Sequence, residues 1–292
     1  MSASHAQLWF WLAIAVVGLA AAPLAHKMAL DGGASALLVA FSGAVVTAVV
    51  VVAWLFGRGG ASALKSLDFK AVTSLFLIGA LGSGLVSLFG IVAMTETSAS
   101  NRALFQSAYP AATALAAALL LGERLNIRAY LWIGLVCVGL LLMNLAQSSA
   151  LSLTGWPFWL LLATLPLIGL ADVIAKKSLG RQSPEVVAAG RAVGGVLVLA
   201  LALPWIVPAM SEELAAVWPW LLVSGLCMAA FYVALYHVFD RTFATIAASL
   251  IALAPLLTLG GEMILLGLEL VWFQWLGFGL VLLAVIGLSR RA

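Results

Sequence analysis

Four polar side chains recur along one short apolar stretch of the sequence, namely Arg102, Gln106, Tyr109 and Thr113. Their spacing places them on one face of a helix. A guanidinium and an amide can bind a carboxylate, and a tyrosine ring can contact an apolar group beside it. If the helix lies in a membrane, a charge that faces lipid costs roughly 2.5–3.5 kcal/mol. We therefore expect this face to point toward a water-filled cavity or a partner helix.

Two further helical faces offer compatible chemistry. A small polar face consists of Gly79, Ser83, Ser87 and Gly90, and an aromatic face consists of Met228, Tyr232 and Tyr236. The three faces together predict a cavity with polar and aromatic walls, which suits a zwitterion with an apolar side chain. We expect Arg102 or Gln106 to bind the carboxylate of this zwitterion. The apolar part of the zwitterion would contact the rings of Tyr109, Tyr232 and Tyr236. The alternative is that the hydroxyl and amide groups only form hydrogen bonds between packed helices.

Two acidic residues lie inside apolar stretches. Glu262 follows Thr258 by one helical turn and is the best candidate for proton coupling, although a hydrogen-bonded structural glutamate would have the same sequence. Asp172 and Lys176 are four residues apart, with Arg191 farther along the chain. For Asp172 we expect a structural ion pair at the inner rim, with Lys176 and with Arg191 as the possible partners; a role in proton coupling is the alternative.

The apolar content of the chain indicates a membrane protein. Hydrophobic residues make up 65% of the chain and charged residues 9%, whereas a water-soluble domain has roughly 25% charged residues. The apolar residues form blocks of about twenty, the length with which a helix crosses hydrocarbon. Such blocks predict an all-α membrane protein rather than a barrel of alternating strands. Ten spans are predicted, near residues 7–28, 33–57, 70–94, 97–121, 127–147, 153–178, 184–208, 214–239, 242–267 and 270–289.

Basic residues predict the orientation, because cytoplasmic loops retain them. With the N-terminus inside, the outer side holds only Lys27 and Arg102. Both termini are therefore predicted to be cytoplasmic. No Lys or Arg precedes the first span, so we expect a permanent span rather than a cleaved signal. The inner side holds Arg58, Lys65, Lys70, Arg124, Arg128, Lys176, Lys177, Arg181, Arg241, Arg290 and Arg291.

The two halves of the chain resemble each other at a fixed shift. The segment "AYPAATALAAALLLGERL" matches "LAPLLTLGGEMILLGLEL", with Pro110 opposite Pro255. Each half has five predicted spans, an odd number, so the second half enters the membrane from the opposite side. This predicts a 5+5 inverted repeat with domains 1–148 and 149–292, the arrangement of alternating-access carriers with a site at the midplane. We expect each proline to form a hinge; tolerated membrane prolines are the alternative.

These features resemble the EamA-type branch of the drug/metabolite transporter superfamily, chiefly in the two sets of five spans and the "P-x-x-T…L-L-L-G-E" segment that ends at Glu123. The resemblance covers nearly the whole chain. It implies that the fifth and tenth spans lie outside a central cavity formed by the other eight. It further implies a secondary transporter in a bacterial inner membrane, most closely an exporter of amino acids. A multidrug, lipid or other metabolite carrier on the same scaffold is the alternative. The sequence departs from the pattern at Gly267-Leu268-Glu269 and in lacking a tryptophan mid-way through the first span.

Other classes of function lack the residues that they need. No paired acids, nucleophile with its base or metal-ligand spacing is present, so we expect neither an enzyme nor a cofactor. The glycines from Gly79 to Gly84 lie inside a span, which predicts no nucleotide site, and the net charge of +3 predicts no nucleic-acid partner. The expected partners are a small-molecule substrate, membrane lipids and a proton or counter-substrate. Monomer and homodimer both stay open, because the G-x-x-x-G spacing of Gly190 and Gly194 suits packing in either.

Overall fold

The computed structural model of the protein describes residues 3–121, 127–145, 155–206, 210–241, 251, 254–267, 269 and 271–289. Every regular element within these ranges is a helix. A π-helix, Ala80–Leu85, joins α4 to α5, and a 3₁₀ turn, Ala200–Ala202, joins α10 to α11. In chain order the α-helices are α1 (Ala3–Asp31), α2 (Ala36–Gly57), α3 (Ala61–Leu64), α4 (Phe69–Gly79), α5 (Val86–Ala93), α6 (Ala99–Ser107), α7 (Tyr109–Leu121), α8 (Ile127–Leu145), α9 (Trp156–Leu179), α10 (Pro184–Leu199), α11 (Leu203–Ile206), α12 (Met210–Arg241), α13 (Ala254–Leu266) and α14 (Trp272–Ser289).

Six helical segments within the described ranges are long and apolar enough to cross a membrane. Shorter apolar helices lie in the predicted fourth, ninth and tenth spans. These segments confirm an all-helical, multi-pass membrane protein. The count of ten spans and the cytoplasmic termini stay predictions. The six long segments are Gln7–Asp31, Ala36–Gly57, Phe69–Ala93, Trp156–Leu179, Pro184–Ile206 and Glu213–Arg241.

Contacts between helix ends show which helices run in the same direction. At one end of the bundle, the Ser35 amide at the start of α2 donates a hydrogen bond to Glu213 Oε2 at the start of α12 (2.7 Å). At the other end, Lys176 Nζ near the end of α9 donates to the carbonyl oxygen of Phe239 near the end of α12 (2.7 Å). Helices α2, α9 and α12 are therefore parallel, as expected for the second, sixth and eighth of a series of alternating spans.

Helix packing repeats at the shift that relates the two halves. Helix α1 packs along α12, and its counterpart α9 packs along α4, the π-helix and α5. Helix α2 packs on α12 as α10 packs on α4, and α13 packs on α1 as α7 packs on α9. Helices α8 and α14 pack chiefly on each other. The fold therefore has a two-repeat architecture, with one helix of each repeat set apart from the rest.

The predicted fourth span consists of two helices rather than one. Helix α6 begins with a hydrogen bond from the Asn101 amide to Ser98 Oγ (3.1 Å), the usual N-terminal cap, and ends at Ser107. Helix α7 starts at Tyr109, so Pro110 is its second residue, where the missing amide costs no helical hydrogen bond. Pro255 lies in α13, and Ile251 before it is also helical. The hinges at both prolines stay a prediction.

Helices α4 and α10 touch through glycines. A Cβ at Gly79 would lie 2.6 Å from the Cα of Gly194, and a Cβ at Gly194 would lie 2.8 Å from the carbonyl oxygen of Phe76. One turn earlier, Gly190 faces the side chain of Leu75. The G-x-x-x-G spacing therefore packs helices within the monomer, and no side chain fits between these two backbones.

We expect Gly194→Leu to lower the free energy of unfolding by about 2 kcal/mol or more, because the added side chain must force α4 and α10 apart. Thermal unfolding of the purified protein in detergent measures this as a lower midpoint. Gly279→Leu is the matched control, since a Cβ at Gly279 meets no atom within 4 Å. Equal midpoints for the two variants would contradict the close contact.

Candidate functional site

A central cavity lies where the two repeats meet. Its wall is formed by α1, α5, α6, α7, α9, α10, α12, α13 and the π-helix, and neither α8 nor α14 contributes a lining residue among those described. The cavity volume is about 50 Å³, smaller than the roughly 300–1,000 Å³ that small-molecule sites occupy. The polar part of the wall comprises Ser87, Arg102, Gln106, Asp172 and Arg191, and the aromatic part comprises Tyr109, Phe231, Tyr232 and Phe239.

Arg191 of α10 joins three elements around the cavity. Its side chain is buried, with Nη2 donating to the carbonyl oxygen of Gly82 in the π-helix (2.9 Å) and Nη1 donating to Tyr236 Oη of α12 (3.0 Å). The guanidinium also lies 4.9 Å from the ring centre of Tyr232, a distance at which cation and ring attract each other. Its Nε has no hydrogen-bond partner among the described residues. One donor of this buried cation is therefore left for a ligand or water.

Asp172 of α9 supplies the negative charge of the cavity. Its Oδ1 lies 3.4 Å from Arg191 Nη1, and its Oδ2 accepts a hydrogen bond from Thr113 Oγ1 of α7 (3.1 Å). Both carboxylate oxygens are thus engaged, as a buried ion pair requires. Of the two partners that the sequence suggested for Asp172, Arg191 forms an ion pair with it. Lys176 lies one turn nearer the end of α9 and donates to the carbonyl of Phe239.

Arg102 of α6 occupies the opposite part of the wall. Its Nη1 lies 3.1 Å from Nδ1 of His26 in α1, and both side chains are buried. Gly90 of α5 makes room for it, because a Cβ there would lie 2.6 Å from Arg102 Nε. Among the residues that the structure describes, no carboxylate lies within 4 Å of this guanidinium. Among the described residues that line the cavity, two guanidiniums therefore accompany one carboxylate, that of Asp172, which favours a ligand with a negative group.

A smaller cavity adjoins the central one on the side of α2. Ser87, Met228 and Tyr232 line both spaces, so these side chains form the wall between them. Ser83 and His26 line only the smaller space. Ser83 Oγ donates to Tyr232 Oη (2.6 Å), which fixes the tyrosine ring at the boundary. With this second space included, helices of all the predicted spans except the fifth and tenth surround the site.

Most of the predicted site residues meet in one place. Arg102, Gln106, Tyr109, Ser87 and Tyr232 all line the central cavity, together with Asp172 and Pro255. Two predicted contacts lie apart from it. Tyr236 is fully buried behind Arg191, where it orients the guanidinium, and Ser83 holds Tyr232 from the neighbouring space. Both residues therefore support the wall and do not form its surface.

Glu262, the candidate for proton coupling, lies away from the cavity lining. Its Oε1 accepts from the Ala99 amide (2.9 Å) and its Oε2 from the Ser100 amide (2.7 Å). These are free backbone donors at the start of α6, where a carboxylate also interacts favourably with the helix dipole. Glu262 thus connects α13 to α6, the helix that carries Arg102. The geometry favours a structural carboxylate over a proton carrier.

Two residues that line the cavities, Arg191 and His26, were not predicted as ligand contacts. Arg191 lies in an apolar span, and the cost of a charge at that depth is a signal that it must face polar partners. His26 carries no comparable signal, because a single histidine near the end of a span has many uses. Among the described residues, no group of three or more His, Cys, Asp or Glu side chains could hold a metal ion.

Comparison with known proteins agrees with this architecture. A solved crystal structure matches with a TM-score of 0.65 at 19% identity, and the match covers 96% of this chain and 99% of that chain. No curated protein sequence matches the chain. The model of the EamA-like transporter family matches twice, at residues 8–145 and 154–290. Because these two matches cover nearly the whole chain, the protein belongs to the EamA-like transporter family, a branch of the drug/metabolite transporter superfamily.

Proposed function

We propose that the protein exports amino acids, chiefly aromatic or otherwise apolar ones, from a bacterial cell across its inner membrane by alternating access. The observation that carries this proposal is the central cavity, in which two buried guanidiniums face one carboxylate beside aromatic rings. The excess positive charge suits the carboxylate of the substrate. Tyr109, Phe231 and Tyr232 offer apolar surface for its side chain.

Arg102 is the group that we assign to the substrate carboxylate. Arg191 already binds Asp172, Tyr236 and the carbonyl of Gly82, whereas the partner of Arg102 is the imidazole ring of His26, which carries no negative charge. A carboxylate bound to Arg102 would form charge-assisted hydrogen bonds that an amine or a neutral apolar drug cannot form. Among the alternatives on this scaffold, a multidrug carrier of neutral or cationic compounds predicts no such preference, whereas a carrier of anionic lipids or metabolites shares it.

Alternating access is supported by a pair of equivalent contacts at opposite ends of the bundle. Lys27 Nζ of α1 donates to the carbonyl oxygen of Met94 at the end of α5 (3.4 Å), as Lys176 Nζ of α9 does to that of Phe239 in α12 (2.7 Å). Residues 145 positions apart are equivalent in the two halves, so Met94 corresponds to Phe239. Lys176 lies one helical turn beyond the position that corresponds to Lys27. We infer that each contact closes one side of the cavity. A proton or a counter-substrate would then drive the exchange between the two open states.

The first test concerns substrate charge. Arg102→Gln should raise KM for a transported amino acid about tenfold to 100-fold, because a charge-assisted hydrogen bond contributes about 1.5–3 kcal/mol. It should leave KM nearly unchanged for the amine that has the same side chain and no carboxylate. Uptake by liposomes containing the purified protein measures both values.

Two further variants separate binding from folding. Gly90→Ala keeps the charge but displaces the Arg102 side chain, and it should also raise KM for the amino acid. Arg128→Gln removes an exposed guanidinium at the start of α8 and should have no effect. An amino-acid KM that stays at the wild-type value in Arg102→Gln would rule out this assignment.

The second test concerns the two lysine contacts. Ser87→Cys, in a chain with Cys137→Ala and Cys227→Ala, places a single thiol on the cavity wall. Adding Lys27→Met should speed its reaction with a membrane-impermeant thiol reagent supplied at the outer face, and Lys176→Met should speed it from the inner face. Loss of one such hydrogen bond shifts the equilibrium about tenfold.

Lys65→Met, which changes an exposed lysine on the loop before α4, is the control for the second test and should alter neither rate. If Lys27→Met and Lys176→Met each changed the thiol reaction rate equally from both faces, the assignment of the two contacts to opposite sides of the cavity would be contradicted.

A further inference from the structure

A second polar space lies outside the transport pathway, in a groove between the start of α4 and the end of α9. Lys70, Lys177 and Arg181 line it, and all three side chains are exposed. Among the residues that the structure describes, none of these three cations has a carboxylate within 4 Å. The one acidic residue of the groove, Asp68, accepts a hydrogen bond from the Ala71 amide and so caps α4 (2.7 Å). The groove therefore carries an excess of two positive charges.

The opposite end of the same groove is apolar. Leu77 of α4 and Ile174 of α9 line it there. Ile174 lies three residues from Lys177 along α9, and Leu77 lies seven residues from Lys70 along α4, which at 1.5 Å per residue is about 10 Å. The headgroup layer of a leaflet is only about 5–8 Å thick, so the apolar end reaches the hydrocarbon.

We propose that this groove binds an anionic membrane lipid. The lipid phosphate would lie among Lys70, Lys177 and Arg181, and an acyl chain would follow Leu77 and Ile174. Basic pockets between the ends of membrane helices are a recurring mode of headgroup recognition. A soluble phosphate would fill only the charged end, whereas a lipid matches both the charge at one end and the apolar surface at the other.

Such a lipid would connect the two repeats at one end of the bundle. Helix α4 belongs to the first repeat and carries the π-helix that binds Arg191, while α9 belongs to the second and carries Asp172. A bound lipid therefore stabilises the pairing of α4 with α9 directly beneath the cavity. The consequence is a folded state whose stability depends on the lipid around it.

The test uses the purified full chain in detergent and measures the midpoint of thermal unfolding. Wild-type protein should be stabilised by dioleoylphosphatidylglycerol in a saturable way, and neither by dioleoylphosphatidylcholine nor by inorganic phosphate. The triple variant Lys70→Gln, Lys177→Gln, Arg181→Gln should need at least about ten times more phosphatidylglycerol for the same shift, since it lacks the three basic side chains that attract the anionic headgroup.

The matched control is Lys65→Gln, Arg128→Gln, Arg241→Gln, which removes the same charge from exposed positions outside the groove and should respond like wild type. Ser74→Asp adds a carboxylate to the groove and keeps its cations, so it should weaken the response even if the triple variant folds poorly. Three results would overturn the proposal. They are an equal loss in both triple variants, the same stabilisation by inorganic phosphate, and no response of the wild-type protein to phosphatidylglycerol.

Discussion

The burial of one guanidinium constrains the centre of this protein. A charge removed from water costs several kcal/mol unless its donors are bound and an opposite charge is close. Arg191 meets this requirement with Asp172 of α9, Tyr236 of α12 and the carbonyl of Gly82, and its charge also lies against the ring of Tyr232. These partners come from different helices. The positions of α9, α10, α12 and the π-helix are therefore fixed relative to one another by a single side chain.

The glycine contact and the π-helix serve the same arrangement. Gly79 and Gly194 let the backbones of α4 and α10 touch, which brings the next turn of the first helix within reach of Arg191. That turn is the π-helix, and π-helical turns are frequent where a backbone group has a functional partner. Here the partner is the guanidinium, which binds the carbonyl of Gly82. Close packing and the polar site are thus two aspects of one helix contact.

Symmetry extends to the framework of the protein but not to its chemistry. Pro110 in α7 and Pro255 in α13 are equivalent in sequence. Thr113 and Thr258 are equivalent in sequence, yet the first donates to the carboxylate of Asp172 and the second to the carbonyl oxygen of Ala20. The repeated framework places equivalent helices on both sides of the cavity, whereas the asymmetric site can hold one orientation of an asymmetric molecule.

The sequence by itself determined the helical membrane fold, the two repeats and most of the cavity wall. Length and apolarity decide whether a segment spans a membrane, and helical spacing decides that Arg102, Gln106 and Tyr109 share a face. Which helix that face meets is a long-range property, so the pairing of Asp172 with Arg191 and the contact of Arg102 with His26 required the tertiary structure. The same holds for Glu262. A carboxylate that carries protons and one that caps a distant helix look alike in sequence, and only the groups that contact the carboxylate in the folded protein distinguish them.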